Sequence, residues 1–128
     1  LVVLPATAPL RSVEDVNNCI DLFEKGEVDS VITVTGAHRS PFFNMVVNNS
    51  GGYSSLVIST DDKITRRQDA PKVHDMTTVA YVVNTNFVKK FDGIFEGMVK
   101  SVVVPPERAI DIDTMLDFKI AEYLILNR

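Results

Sequence analysis

The first 35 residues set a strand-like run at each end of a helical pattern: Leu1 to Leu4 (LVVL) before it and Asp29 to Thr35 (DSVITVT) after it. A strand, a helix and a second strand in that order close by crossing over one face of a sheet, so this unit commits the chain to an α/β fold with parallel strands. The crossover is expected to be right-handed. Pro5 to Arg11 (PATAPLR) is a proline-bounded loop, and Ser12 with Asp15 makes a capping-box pattern that opens the helix. Val13, Val16, Ile20 and Phe23 recur at spacings of three and four and are read as its buried face. Gly26 follows where a helix stop belongs. Cys19 is the single cysteine, so no internal disulfide can form, and within this helix it reads as a buried thiol.

Beyond Gly36 the character changes. PFFNMVVNNSGGYSSLVIST, from Pro41 to Thr60, is two strand-like runs around Asn49-Ser50-Gly51-Gly52, the pattern of a β-hairpin with a loop of four residues or more. Phe42, Phe43, Met45, Val46 and Val47 are more apolar than a hairpin open on both faces tolerates, so a second subunit is expected to cover them. TTVAYVV, Thr77 to Val83, reads as a central strand, Asn86 to Phe91 as a short helix, and SVVVPP, Ser101 to Pro106, as a strand ended by its prolines. From Thr114 the apolar residues Met115, Phe118, Ala121, Tyr123, Leu124 and Ile125 mark a final helix.

With 128 residues the chain is one domain at most. Its 45% hydrophobic and 23% charged residues exclude disorder over most of the length. No apolar run approaches the roughly 20 residues of a membrane span, and no signal peptide precedes the first strand, so the expectation is a cytoplasmic protein without membrane contact. In that compartment the sequon Asn48-Asn49-Ser50 has no meaning. Thirteen basic against seventeen acidic residues give a net charge of −4, which argues against a nucleic-acid partner. Charge is nevertheless segregated. Lys63, Arg66, Arg67, Lys72 and His74 crowd one segment, and Glu107, Asp111, Asp113 and Asp117 another. Facing each other across a cleft they would suit an anionic substrate and a metal; as two solvated surfaces they need no function.

The acidic segment RAIDIDTMLDFKIAE, Arg108 to Glu122, sets two carboxylates one residue apart where strand gives way to helix. Asp113 is read as the helix N-cap, which leaves Asp111 unexplained. In extended backbone residues i and i+2 point to one side, so the two can also converge on a hard divalent cation such as Mg²⁺. A calcium loop of the EF-hand kind is excluded because Leu116 occupies the position that needs glycine. No serine-centred elbow or cysteine with an adjacent base is present, and His38 and His74 lack metal-ligand spacing.

LPATAPLR, RRQDAPKV, AYVV and ERAIDIDTMLDFKIAEYLI occur in the order and rough spacing of the cytidylyltransferases that activate acidic sugars, and the chain resembles the acylneuraminate type along essentially its whole length. The most specific elements are Arg66-Arg67-Gln68 with Pro71, and Ile110 to Thr114. The resemblance implies a Rossmann-like nucleotidyltransferase sheet, incomplete at the N-terminus, with residues 36–71 forming a protruding hairpin through which two copies dimerise. It implies transfer of a cytidylyl group from CTP to a 2-keto sugar acid with release of pyrophosphate, aided by Mg²⁺. By position, Asp111 and Asp113 become the metal ligands, and Arg67, with Arg66 and Gln68 beside it, meets phosphate or the sugar carboxylate. Thr7 and Arg11 line the sugar side. Tyr81 either offers its hydroxyl to the sugar or sits in the core, and Phe95 either touches an acyl group or simply packs, packing being the favoured role.

The sequence also departs from the family. The Ala-Arg-x-Gly-Ser-Lys loop that cradles the nucleotide belongs upstream of Leu1, so residues 1–128 are expected to be the carboxyl-terminal portion of the enzyme and inactive alone. Pro5 stands where relatives carry a sugar-binding glutamine, and Thr77-Thr78 where many have Asn-Gly. Two rivals stand beside this reading: a non-catalytic assembly module built on the hairpin, and a nucleotidyltransferase for a neutral sugar.

Overall fold

The computed structural model describes residues 1–61 and 64–128; Lys63 of the basic segment lies outside the described residues. The chain divides into two compact units, one of Leu1–Thr35 with Asp75–Arg128 and one of Gly36–His74.

The larger unit is built on a four-stranded sheet. β1 (Val2–Val3), β2 (Ser30–Gly36), β5 (His74–Val83) and β6 (Val99–Val103) lie in the order β1-β5-β2-β6. β1 pairs antiparallel with β5, Val2 opposite Val82, whereas β6 runs parallel to β2 with Ser30 opposite Val99. Asn84 N–H donates to the Asp29 carbonyl while Thr33 bonds to Thr77 and Ala80, so β5 also runs against β2. The strand-helix-strand unit read from residues 1–35 is present, but β5 lies between its two strands as the antiparallel member of a mixed sheet.

α1 (Val13–Glu24) covers one face. Cys19, Val31, Ala80 and Val82 form its buried cluster, with Val16, Ile20 and Phe23 packed against them. Val13 departs from the expected buried face: it is 77% exposed, because the inward position of the first turn is taken by Asp15 at 2%. The capping box forms as the spacing requires, and Gly26 follows the C-cap Lys25 with φ +81°, a left-handed conformation open to glycine. Between β2 and β5, Thr77 Oγ1 donates to Thr33 Oγ1 at 2.7 Å and Thr33 Oγ1 takes the Ala80 amide at 3.2 Å, so both buried hydroxyls are satisfied.

A second cluster of Ala8, Val79 and Val104, with Ala109 against it, ties the proline loop to the segment after β6. That strand ends at Val103 and is followed by a 3₁₀ turn at Pro106–Arg108. α2 (Thr85–Val88) is short, and Asn84 caps it. The last helix, α3 (Met115–Leu126), is apolar on every side, yet only Ala121 is buried.

In the unit of residues 36–74, β3 (Val46–Asn48) and β4 (Ser54–Leu56) pair antiparallel with Val47 opposite Ser55. Asn49 Oδ1 receives the amides of Gly51 and Tyr53, both at 3.0 Å, which fixes the connecting loop. Met45, Val46, Val47, Tyr53, Leu56, Val57 and Ile58 are all exposed.

Candidate functional site

The proline loop is braced from within. Arg11 Nε donates to the Ala8 carbonyl at 3.0 Å and Nη2 to the Pro5 carbonyl, so much of the fork is occupied inside the loop. The Thr7 side chain is exposed, and its carbonyl accepts the Ile112 amide at 2.9 Å. Thr7 and the acidic segment are therefore neighbours.

A second tie lies three residues before Asp111. Arg108 Nε donates to Asp15 Oδ2 and Nη2 to Asp15 Oδ1, each at 2.8 Å, a two-bond fork on a carboxylate almost fully removed from water. Asp15 Oδ2 also receives the Ser12 amide at 2.9 Å. Burial alone would raise the Asp15 carboxyl, but the bonds from Arg108 and Ser12 overcome it and hold the group below the usual carboxylate range. The sequence reading gave Asp15 a capping role and missed this pair. A signal was available: Asp15 is four residues before Cys19, on the same helix face, and a carboxylate facing a core needs a cation.

Asp111 lies in the segment these two ties bracket. Its Oδ1 is buried and has no hydrogen-bond partner among the described residues. Its charge is also felt at Tyr81, whose hydroxyl is pushed up first by burial and second by the Asp111 carboxylate. Tyr81 itself is half-buried on β5, opposite Val3. Asp113 differs: it is exposed, and its amide donates to Asp117 Oδ2 at 3.3 Å. It is not the N-cap of α3. Thr114 is, because its hydroxyl takes the Asp117 amide while Asp117 reaches back to the Thr114 amide at 2.7 Å, a reciprocal pair that a cap at 113 would lack. Asp113 is thereby released from the structural role assigned to it.

A buried carboxylate oxygen without a donor is a fit for a hard cation. Among the described residues no three His, Cys, Asp or Glu side chains come together as a metal-binding group. A cation here would rest on Asp111 and Asp113, and Mg²⁺ commonly takes only one or two carboxylates, completing its shell with water and substrate phosphate.

The unit of residues 36–74 carries the basic segment. A cavity of about 540 Å³ is lined by Arg39, Ser40, Arg67, Gln68 and Lys72 among others. Arg67 opens the 3₁₀ turn Arg67–Asp69, and its Nη2 donates to the Ala37 carbonyl at 3.0 Å. The structure thus gathers Arg67 and Lys72 from the predicted basic cluster, together with Gln68, and adds Arg39, which the sequence reading passed over although it follows the carboxyl end of β2, where ligands bind in open α/β sheets. Arg66 stands at the N-cap position of the turn without a side-chain capping bond and does not line the cavity. The acidic pair belongs to the other unit. Phe95, expected to pack, is 68% exposed.

No family model matches the chain. Post-translational flagellin modification protein B of Campylobacter coli is 34% identical over 125 residues, covering 98% of this chain and 52% of that protein. CMP-N,N'-diacetyllegionaminic acid synthase of Campylobacter jejuni is 36% identical over 126 residues, again 98% of this chain and 52% of the relative. The chain spans about half the length of both. In fold it is similar to 4-diphosphocytidyl-2C-methyl-D-erythritol synthase of Anaerococcus prevotii, with a TM-score of 0.60 at 19% identity over 99% of this chain and 58% of the other.

Proposed function

We propose that this chain, which over 98% of its length is similar to a CMP-N,N'-diacetyllegionaminic acid synthase, is the carboxyl-terminal portion of an enzyme joining CTP to an acidic 2-keto sugar with release of pyrophosphate. The observation that carries the proposal is the buried, partnerless Oδ1 of Asp111, which stands where the sequence resemblance implies a metal ligand.

Asp111 and Asp113 are the residues that would hold Mg²⁺. When bound, the ion neutralises charge that develops on the pyrophosphate leaving group. The rest falls to positioning by this chain's own side chains, since the reaction needs no covalent nucleophile. Arg67 presents a guanidinium fork that matches a carboxylate or a phosphate, with Gln68 and Arg66 beside it. Lys72 and Arg39 keep the same cavity electropositive. Thr7 and Arg11 shape the sugar side, and the Tyr81 hydroxyl, held protonated by burial and by the neighbouring carboxylate, is a donor to the sugar.

Residues 36–71 are read as the dimerisation insertion. Their exposed apolar strands are what a second copy would cover. Residues 1–128 contain no Gly-Ser-Lys loop, so by themselves they are expected to bind CTP weakly and to turn over nothing. Micromolar CTP affinity of this portion in calorimetry contradicts that part of the proposal. Substrate class is tested by following pyrophosphate release from CTP by the full-length protein with acidic 2-keto sugars and with neutral sugars. Turnover restricted to the acids, with a raised KM in Arg67→Lys, is the expected result. Equal turnover of neutral sugars removes the carboxylate role of Arg67.

A further inference from the structure

The Asp15–Arg108 pair joins residues 93 apart in the chain. An ion pair at that position has a simple structural use, since it ties the start of α1 to the 3₁₀ turn after β6. Its placement says more. Arg108 is three residues before Asp111, and Ile112, one residue after Asp111, is fixed by its amide to the Thr7 carbonyl. Ala109 is anchored against Ala8, Val79 and Val104. Both outer ties end on the same short stretch, residues 7–15, which is itself stiffened by Arg11 on the Pro5 and Ala8 carbonyls and by the reciprocal Ser12 and Asp15 bonds. Between the ties sits the one carboxylate of the segment with a buried oxygen lacking a partner. Burying such an oxygen is costly unless the backbone around it is held, because the segment would otherwise turn the carboxylate toward water.

We propose that Asp15 and Arg108 are positioning residues: their two-bond fork, together with the Thr7–Ile112 bond, clamps the Ile110–Ile112 backbone so that Asp111 faces the cation site. The inference rests on the reading of Asp111 as a metal ligand given above. The clamp also couples the two sides of the site, since the stretch that carries Thr7 and Arg11 is the one that fixes Asp111. A lysine at position 108 keeps the charge and loses the planar fork, so it loosens the clamp without leaving Asp15 unpaired.

The test is Mn²⁺ binding by the full-length protein, read by electron paramagnetic resonance of the free ion, with thermal melting measured on each variant. Arg108→Lys is compared with Asp111→Asn and with Asn84→Ala, which removes the cap of the distant α2 and provides a stability loss unrelated to the segment. The expected result is abolished binding in Asp111→Asn, affinity weakened on the order of tenfold in Arg108→Lys, and unchanged affinity in Asn84→Ala. Wild-type affinity in Arg108→Lys, with Asp111→Asn still defective, overturns the positioning role and leaves the metal reading standing. Undiminished binding in Asp111→Asn, or none in the wild type, overturns the metal reading and the inference with it.

Discussion

At the scale of single residues, Asp15 is committed twice, closing a helix cap and holding a guanidinium from a place water barely reaches. Asp15→Asn keeps the size and loses the charge, leaving Arg108 without its counter-ion, and is expected to lower unfolding stability by on the order of 2–3 kcal/mol in urea titrations. The pH dependence has a definite sign. Because folding depresses this carboxyl, its contribution is complete above the ordinary aspartate pKa near ~4 and fades as pH falls through the lower folded value. Asp15→Asn should flatten that acid limb of the stability curve and leave the neutral plateau level. Cys19 gives an independent check: burial first and the Asp15 charge second push its thiol up to about 11. Ellman's reagent at pH 8 should find it inert in the native protein and reactive in denaturant. The Ser12–Asp15 box was legible in the sequence because it is local. Arg108 was not legible as its partner, since no spacing specifies a pairing across 93 positions, and the cap of α3 was misplaced by one residue because both Asp113 and Thr114 are good cap types.

At the scale of elements, the helices and strands follow from apolar period and punctuation, and their neighbours do not. Nothing in TTVAYVV says that its strand inserts between β1 and β2 or that it runs against them. Sheet order depends on contacts between distant segments, which period and turn residues do not encode. Gly97 shows the same limit. A Cβ there would lie 2.5 Å from Phe87 Cε2 and 2.7 Å from Asp29 Oδ2, and that carboxylate already receives the Met98 amide at 2.8 Å, contacts that no local pattern announces. Gly97→Ala is expected to cost about 1–3 kcal/mol in chemical denaturation. Thr114→Ala should cost about 1 kcal/mol by removing the α3 cap, with no gain in helix content from Asp113.

At the scale of the whole molecule, the exposed apolar surface is the dominant fact. Val46, Val47, Val57 and Ile58 of the hairpin, and Met115, Leu116, Tyr123 and Leu126 of α3, are open in an isolated chain. No helix among the described residues is long and apolar enough to cross a membrane. Surface of this kind is normally covered by protein. If residues 36–71 are the dimer contact, sedimentation velocity of the full-length protein should show a dimer, and Val47→Lys should shift it toward monomer. A monomer at tens of micromolar would remove the proposed dimer. The proposed chemistry rests on Asp111, whose half-buried carboxylate has one oxygen, Oδ1, with no hydrogen-bond partner among the described residues, between the ties at Arg108 and Ile112. The measurement that reaches this claim most directly is the turnover of CTP with an acidic 2-keto sugar by full-length protein carrying Asp111→Asn. A folded variant with kcat reduced on the order of 100-fold or more is the predicted result. A folded variant that keeps wild-type turnover contradicts the account, and the acidic segment would then be a helix start and nothing more.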